Sequence, residues 1–304
     1  MSDRLLSMNP SEIKTLKGKQ LVEAIRLSEG RILAAETVST MAPLLSDVTN
    51  AELCSALSAD IIILNMFDVD DPLVLGLPEH KEEDTIKLLK KLTGRVIGVN
   101  LEPTDEDENG EGWKMTKGRV ATAENALKAR ELGADIVVVT GNPGNHVSNE
   151  AIYKSIKEIR DRLKDDIVIV SGKMHASGSI SEAGENIISK EDIDNFVKAG
   201  TDIIMLPAPG TIPGLTVQRI QELISYAHSS GVLAMTAIGT SQEGADTDTI
   251  KTIALNCKMA GADIHHIGDS GYNGMAVPEN IMAYSIAIRG VRHTYRRMAI
   301  SINR

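Results

Sequence analysis

Gly133-Ala134-Asp135-Ile136-Val137-Val138-Val139-Thr140 closes one helix-like stretch and opens one strand-like run, and the chain writes this join three more times. The other copies are Ser58-Ala59-Asp60-Ile61, Gly200-Thr201-Asp202-Ile203 and Gly261-Ala262-Asp263-Ile264. Glycine takes the left-handed conformation that ends a helix, an aspartate follows, and the strand begins. The joins precede every second apolar run. That period fits a closed eight-unit barrel better than an open sheet. The four aspartates fall at the N-terminal ends of strands, where a structural role is expected.

Working outward, eight short apolar runs read as strands: Arg31–Val38, Ile61–Met66, Arg95–Leu101, Asp135–Thr140, Ile167–Ser171, Asp202–Leu206, Val232–Ala237 and Asp263–Ile267. Helical patterns follow at Asn50–Leu57, Glu82–Leu92, Ala121–Leu132, Asn149–Leu163, Lys190–Lys198, Val217–Ser229, Thr247–Ala260 and Pro278–Met298. Strand and helix alternating over roughly 250 residues is the pattern of an α/β fold of the (β/α)8 TIM-barrel class. Asn9-Pro10-Ser11-Glu12 reads as the start of an additional N-terminal helix, capped by Asn9 or Ser11, that ends near Gly30 and covers the bottom of the barrel. The expectation is a single barrel domain over 1–304, with 1–30 as a helical extension. The acidic stretch Pro103–Arg119, which carries Trp113, reads equally as a lid or an insertion.

The formal net charge is −10, which disfavours nucleic acid and anionic membrane as partners. One Trp, two Phe and five Tyr offer few stacking platforms for single-stranded nucleic acid. Arg289, Arg292, His293, Arg296 and Arg297 read as positive charge near the end of a final helix, where the dipole favours it, or as a subunit contact. Cys54 and Cys257 have no metal spacing and read as structural thiols. No run has signal or membrane-span length, so a cytoplasmic protein is expected, with a homo-oligomer left open.

In such barrels the chemistry sits on the loops after the strands. Glu36, Asn100 and Glu102 stand at the ends of strands 1 and 3, where a carboxylate can remove a proton beside a carbonyl. Lys173, with His175 close by, follows strand 5; a lysine there polarises a carbonyl or traps it as a Schiff base. His265 and His266 are adjacent on strand 8, so only one faces inward. Asp269 follows the same strand. Gly239-Thr240-Ser241 and Gly268, Ser270 and Gly271 place glycine and hydroxyl residues after strands 7 and 8, the usual place of a barrel's phosphate cradle. Glu36, Asp68, Glu102, His175 and Asp269 could instead hold a divalent metal, since hard oxygen ligands suit Mg²⁺ or Mn²⁺.

Phe67-Asp68-Val69-Asp70-Asp71-Pro72 resembles the first motif of haloacid-dehalogenase-like phosphatases, which implies Asp68 as nucleophile and Asp70 as acid. The resemblance departs at Asp71, where that motif has Thr or Val, and at Asn273-Gly274, where a closing Asp is missing. Through Leu21–Gly30, Asn65-Met66-Phe67-Asp68 and the glycines after strand 8, most of the chain resembles a bacterial (β/α)8 family. Members of that family lie near sugar phosphotransferase genes and are often labelled haloacid-dehalogenase-like hydrolases. The resemblance implies an aldolase-type, phosphate-binding barrel and a place in carbohydrate metabolism, without a particular reaction.

Together these features predict an enzyme acting on a small phosphorylated sugar or sugar acid, as an isomerase, epimerase or aldolase-type lyase. Two alternatives are a Mg²⁺-dependent phosphatase built on Asp68 and Asp70, and a non-catalytic sugar-phosphate sensor.

Overall fold

The computed structural model describes residues 3–104, 115–141, 147–174 and 184–304. Eight parallel strands close into a barrel in sequence order: β1 (Ile32–Val38), β2 (Ile61–Asn65), β3 (Val96–Leu101), β4 (Ile136–Val139), β5 (Val168–Gly172), β6 (Ile203–Pro207), β7 (Leu233–Ile238) and β8 (Ile264–Ile267). The seam pairs Ala34 of β1 with His266 of β8. Each strand starts and stops within two residues of its sequence reading.

The repeated aspartate explains the regularity. At every join it makes a two-point contact with the preceding odd strand. The backbone N–H groups of Asp60, Asp135, Asp202 and Asp263 donate to Leu33, Ile97, Ile169 and Ala234 carbonyls at 2.8–2.9 Å. The carboxylates then accept the N–H groups of the same four residues at 2.8–3.0 Å. This fixes the register of four strand pairs at the bottom rim, where ladder hydrogen bonds run out.

The outer layer comprises α3 (Asn50–Ala56), α4 (Thr85–Thr93), α5 (Ala123–Leu132), α6 (Asn149–Leu163), α7 (Lys190–Ala199), α8 (Val217–Ser229), α9 (Thr247–Ala260) and α10 (Pro278–Ala299). Thr49, Thr122, Ser148, Ser189, Thr216 and Asp246 cap six of them with side-chain oxygens. The last helix departs from its expected continuity: Gly290 (φ 74°) interrupts it. None of the helices among the described residues is long and apolar enough to cross a membrane.

Residues 9–30 form two helices rather than the one expected, α1 (Pro10–Ile13) and α2 (Gly18–Arg26). Lys17 is extended and Gly18 has a φ of +45°, a conformation in which a Cβ would lie 1.8 Å from the Asp165 carbonyl oxygen. The helix breaks there so that the chain can pass the end of α6. Of the two cap candidates it is Asn9 that serves; the Glu12 carboxylate accepts its N–H at 2.6 Å. Leu5, Leu6, Ile13, Leu21 and Ile25 then plug the barrel from below, packing on the inward residues Ile32, Ile61, Val96, Ile136, Val168 and Ile203.

Two residues of the basic run in α10 have a different place from either expectation. Arg289 and Arg297 are buried, and both engage the buried Asp60 carboxylate, at 2.5 and 2.7 Å. Arg297 also donates to the Leu5 carbonyl at 2.7 Å. One charge cluster thus ties the first and last segments of the chain to the same strand end. Burial pushes the Asp60 carboxyl up, but Arg289 and Arg297 outweigh it and hold the group below its ordinary range.

Candidate active site

Alternation along the strands decides what faces the mouth. Ile32 and Ala34, Ile61 and Ile63, and Ile264 point into the barrel. Carrying the same parity upward brings Glu36, Asn65, Asn100 and His266 to the inner face at the C-terminal end. Glu36, Asn65 and Asn100 line a cavity there, joined by Glu102, Glu243 and Asp269. At about 270 Å³ it lies just under the range of roughly 300–1,000 Å³ usual for drug-sized ligands, and so suits a small metabolite.

Three contacts organise the acidic side. His266 Nε2 lies 3.2 Å from Glu36 Oε2, with both side chains buried. Asn65 donates to Asp269 Oδ2 at 2.7 Å, and Asn100 donates to Asn65 Oδ1 at 3.1 Å. Ser270 joins two carboxylates: its N–H donates to Glu243 Oε1 at 2.9 Å and its hydroxyl to Asp269 Oδ1 at 3.1 Å. Burial, with Glu36 and Glu243 nearby, pushes the Asp269 carboxyl up to about 7. Burial also raises Glu243. Arg119, at the end of the 103–119 stretch, reaches Glu102 at 2.5 Å and lines the cavity. Residues 105–114 of that stretch, with Trp113, lie outside the described residues.

The residues expected to act fall into several groups. Glu36, Asn100, Glu102 and Asp269 are brought together in the lining. Lys173 sits just past β5, 1% exposed; the lining at that strand end comes from Met174. His175 lies outside the described residues. Of the two adjacent histidines, His266 is the inward one. His265 faces the helices, its ring 5.6 Å from that of Tyr284, and burial lowers it to about 4.

The loops after β7 and β8 meet each other closely. Gly239, Thr240, Gly268 and Ser270 line the cavity, while Ser241 and Gly271 stand outside the lining. Thr240 and Ser241 have φ of 62° and 67°, strained values for side-chain-bearing residues and costly enough to mark a constrained turn. Three donors that an anion cradle could use are committed elsewhere. The Ser270 N–H serves Glu243, and the first turn of α9 is capped by Asp246, which accepts from Asp248 and Thr249.

Asp68 and Asp70 form a turn away from this cavity. Asp68 Oδ1 accepts the Asp70 N–H at 2.8 Å, and Asp70 pairs with Lys128 at 2.7 Å. Neither lines the mouth. Among the described residues no three His, Cys, Asp or Glu side chains are grouped to hold a metal ion; of the candidates Glu36, Asp68 and Glu102, the first and last share the cavity lining and Asp68 stands outside it. Glu243, Arg119, Thr140 and Met174 line the cavity without having been singled out in the sequence as site residues.

A family model described as a domain of unknown function, DUF7916, matches residues 6–304, and the chain belongs to that family. No curated protein matches the sequence. Among solved structures, an archaeal fructose 1,6-bisphosphate aldolase is similar, with a TM-score of 0.56 at 13% identity, covering 87% of this chain and 96% of that one. A structure of an archaeal fructose-1,6-bisphosphate aldolase whose catalytic Lys is bound to a carbinolamine intermediate gives 0.56 at 14%, covering 86% and 95%. A Schiff-base-forming fructose-1,6-bisphosphate aldolase gives 0.55 at 14%, covering 88% and 99%. At these identities the likeness is one of fold.

Proposed function

We propose that this DUF7916 barrel is a single-domain enzyme that moves a proton on a small sugar-like carbonyl compound, as an isomerase, epimerase or aldolase-type lyase. One observation carries the reading: Glu36 and Asp269 face the same cavity, where burial pushes the Asp269 carboxyl up to about 7. Shifting a proton beside a carbonyl needs a base and an acid that exchange roles, and a group with pKa near the working pH does this best. Glu36, backed by His266, would take the proton. Asp269, oriented by Asn65, would return it. Lys173 is the candidate to polarise or trap the carbonyl.

The sequence reading adds a phosphate on the substrate, held by Gly239, Thr240, Ser241, Gly268, Ser270 and Gly271. A phosphate taking the Ser270 N–H would have to displace Glu243 from it, and any phosphate there would enter a lining that already carries Glu36, Glu102 and Asp269. Charge therefore favours an unphosphorylated substrate. The resemblance to a family found near sugar phosphotransferase genes supports the sugar-like skeleton.

The test is deuterium exchange in D₂O. Aldoses, ketoses, sugar acids and their phosphates are incubated with the protein and followed by proton NMR. Loss of the C–H signal beside the carbonyl of at least one compound is expected. No exchange on any of them, with folded protein, would defeat the reading.

A further inference from the structure

Asn65 sets the direction of the hydrogen bonds on one wall of the mouth. Its Oδ1 accepts from the Met66 N–H at 2.8 Å, a group that can only donate. Its Nδ2 therefore faces Asp269, and Asn100 must offer its own Nδ2 to Asn65 Oδ1. Asn100 Oδ1 is left buried, with no partner among the described residues. Glu243 is in the same condition on the opposite wall. It is 1% exposed, its Oε1 takes the Ser270 N–H, and its Oε2 is buried with no partner among the described residues. Both residues line the cavity. The buried side-chain atoms of this lining that lack partners among the described residues are acceptors, and buried acceptors require donors.

Charge points the same way. Glu36, Glu102, Glu243 and Asp269 line the cavity, and the cationic lining residue Arg119 is bonded to Glu102. Glu243 and Asp269 are held together through Ser270. A hydroxyl brings one donor and no charge to that pair. An ammonium brings three donors, no acceptor, and a positive charge beside two carboxyl groups.

We infer that the ligand is an amino sugar or amino polyol, its primary ammonium seated against Glu243 Oε2 and Asp269 and a hydroxyl donating to Asn100 Oδ1 on the facing wall. This rests on the proton-transfer site proposed above and names the substrate class of that site.

Calorimetric titration of the full chain with four compounds tests it: a 2-amino-2-deoxyhexose, its N-acetyl derivative, the parent hexose and the hexose 6-phosphate. The amine is expected to bind at least tenfold tighter than the other three. Glu243→Gln, which keeps an oxygen for the Ser270 N–H, is expected to bring the amine to the affinity of the parent. Equal or tighter binding of the parent or the phosphate, no binding by any of the four, or an amine preference that survives Glu243→Gln would overturn the inference. Should that variant fail to fold, the four-compound series on the unmodified protein decides alone. Amine preference without deuterium exchange on any compound would defeat proton transfer while leaving the ligand class. Exchange on neutral or phosphorylated compounds without amine preference would do the reverse.

Discussion

Glu36 Oε2 lies 3.2 Å from His266 Nε2 across the seam where β8 closes onto β1. The pair exists because the barrel is closed: β1 comes early in the chain and β8 late, and only the seam makes them neighbours. Glu36→Gln keeps the shape and removes the basic oxygen. If Glu36 takes the proton, the variant should lose about 10²- to 10⁴-fold in the exchange rate while the melting temperature changes little. An unchanged rate would remove Glu36 from the chemistry.

Asp269 predicts a stability that declines with pH. Its carboxyl is pushed from 3.8 up to about 7 in the fold, so between those values the native state holds a proton that the unfolded chain has lost. Stability from this group is therefore fully present below about pH 4 and is lost as the pH rises to 7, on the order of 4 kcal/mol in all. Asn mimics the shape of the protonated carboxyl, with a donor group on one arm and an acceptor on the other. Asp269→Asn should match the parent near pH 4 and exceed it increasingly up to pH 7 in urea unfolding curves. Parallel curves would show that Asp269 does not titrate in this window.

His265 runs the other way. Burial lowers it from 6.5 to about 4, so the unfolded chain takes up the proton first as the pH falls. Its contribution is present above pH 6.5 and is lost on acidification to pH 4, on the order of 3 kcal/mol. His265→Gln retains a donor for the Gly30 carbonyl, which the His265 ring meets at 3.0 Å. The variant should lose less stability on acidification than the parent. Equal acid sensitivity would assign the loss to other groups.

Legibility in the sequence tracks the range of the interaction. The strands were readable because short apolar runs and the Gly-x-Asp join are local, and both sit where the barrel needs them. Glu36, Asn100, Glu102 and Asp269 were readable because strand-end position implies the mouth. Which histidine faces inward was fixed only by the parity that Ile264 sets on β8. Glu243 was not readable: it stands in a turn between β7 and α9, and its place depends on a glycine in the next loop. Asp68 and Asp70 match part of a catalytic motif and sit in a short turn bonded to its own backbone, outside the cavity lining, which is the turn reading that the motif's departures already allowed. Arg289 and Arg297 looked like dipole charges because nothing near them in sequence announces Asp60.

That Asp60 cluster carries its own prediction. Asp60→Asn keeps an acceptor for the Leu33 N–H but leaves Arg289 and Arg297, with the buried Arg95 close by, without their counter-charge. Removing one partner of a buried ion pair costs about 3–5 kcal/mol. A loss of that size in urea unfolding is expected, with near-unchanged ligand binding while folded, because the cluster lies at the opposite end of the barrel from the cavity. A loss below about 1 kcal/mol would show that the cluster specifies the path of the chain without stabilising it.

Gly268→Ala tests whether the two last loops act as one unit. A Cβ at this position would lie 2.6 Å from Glu243 Oε1 and 2.7 Å from the Ile238 carbonyl oxygen. The carboxylate could swing away, but the carbonyl belongs to β7 and accepts the Gly268 N–H at 3.0 Å, so backbone must move. Overpacking of this kind costs about 1–3 kcal/mol, and the shift would part Glu243 from the Ser270 N–H. Ligand affinity should fall at least as far as in Glu243→Gln, with the barrel still folded by circular dichroism. Affinity that survives Gly268→Ala would mean that Glu243 holds its position without the close approach of β8, and that the two loops act independently.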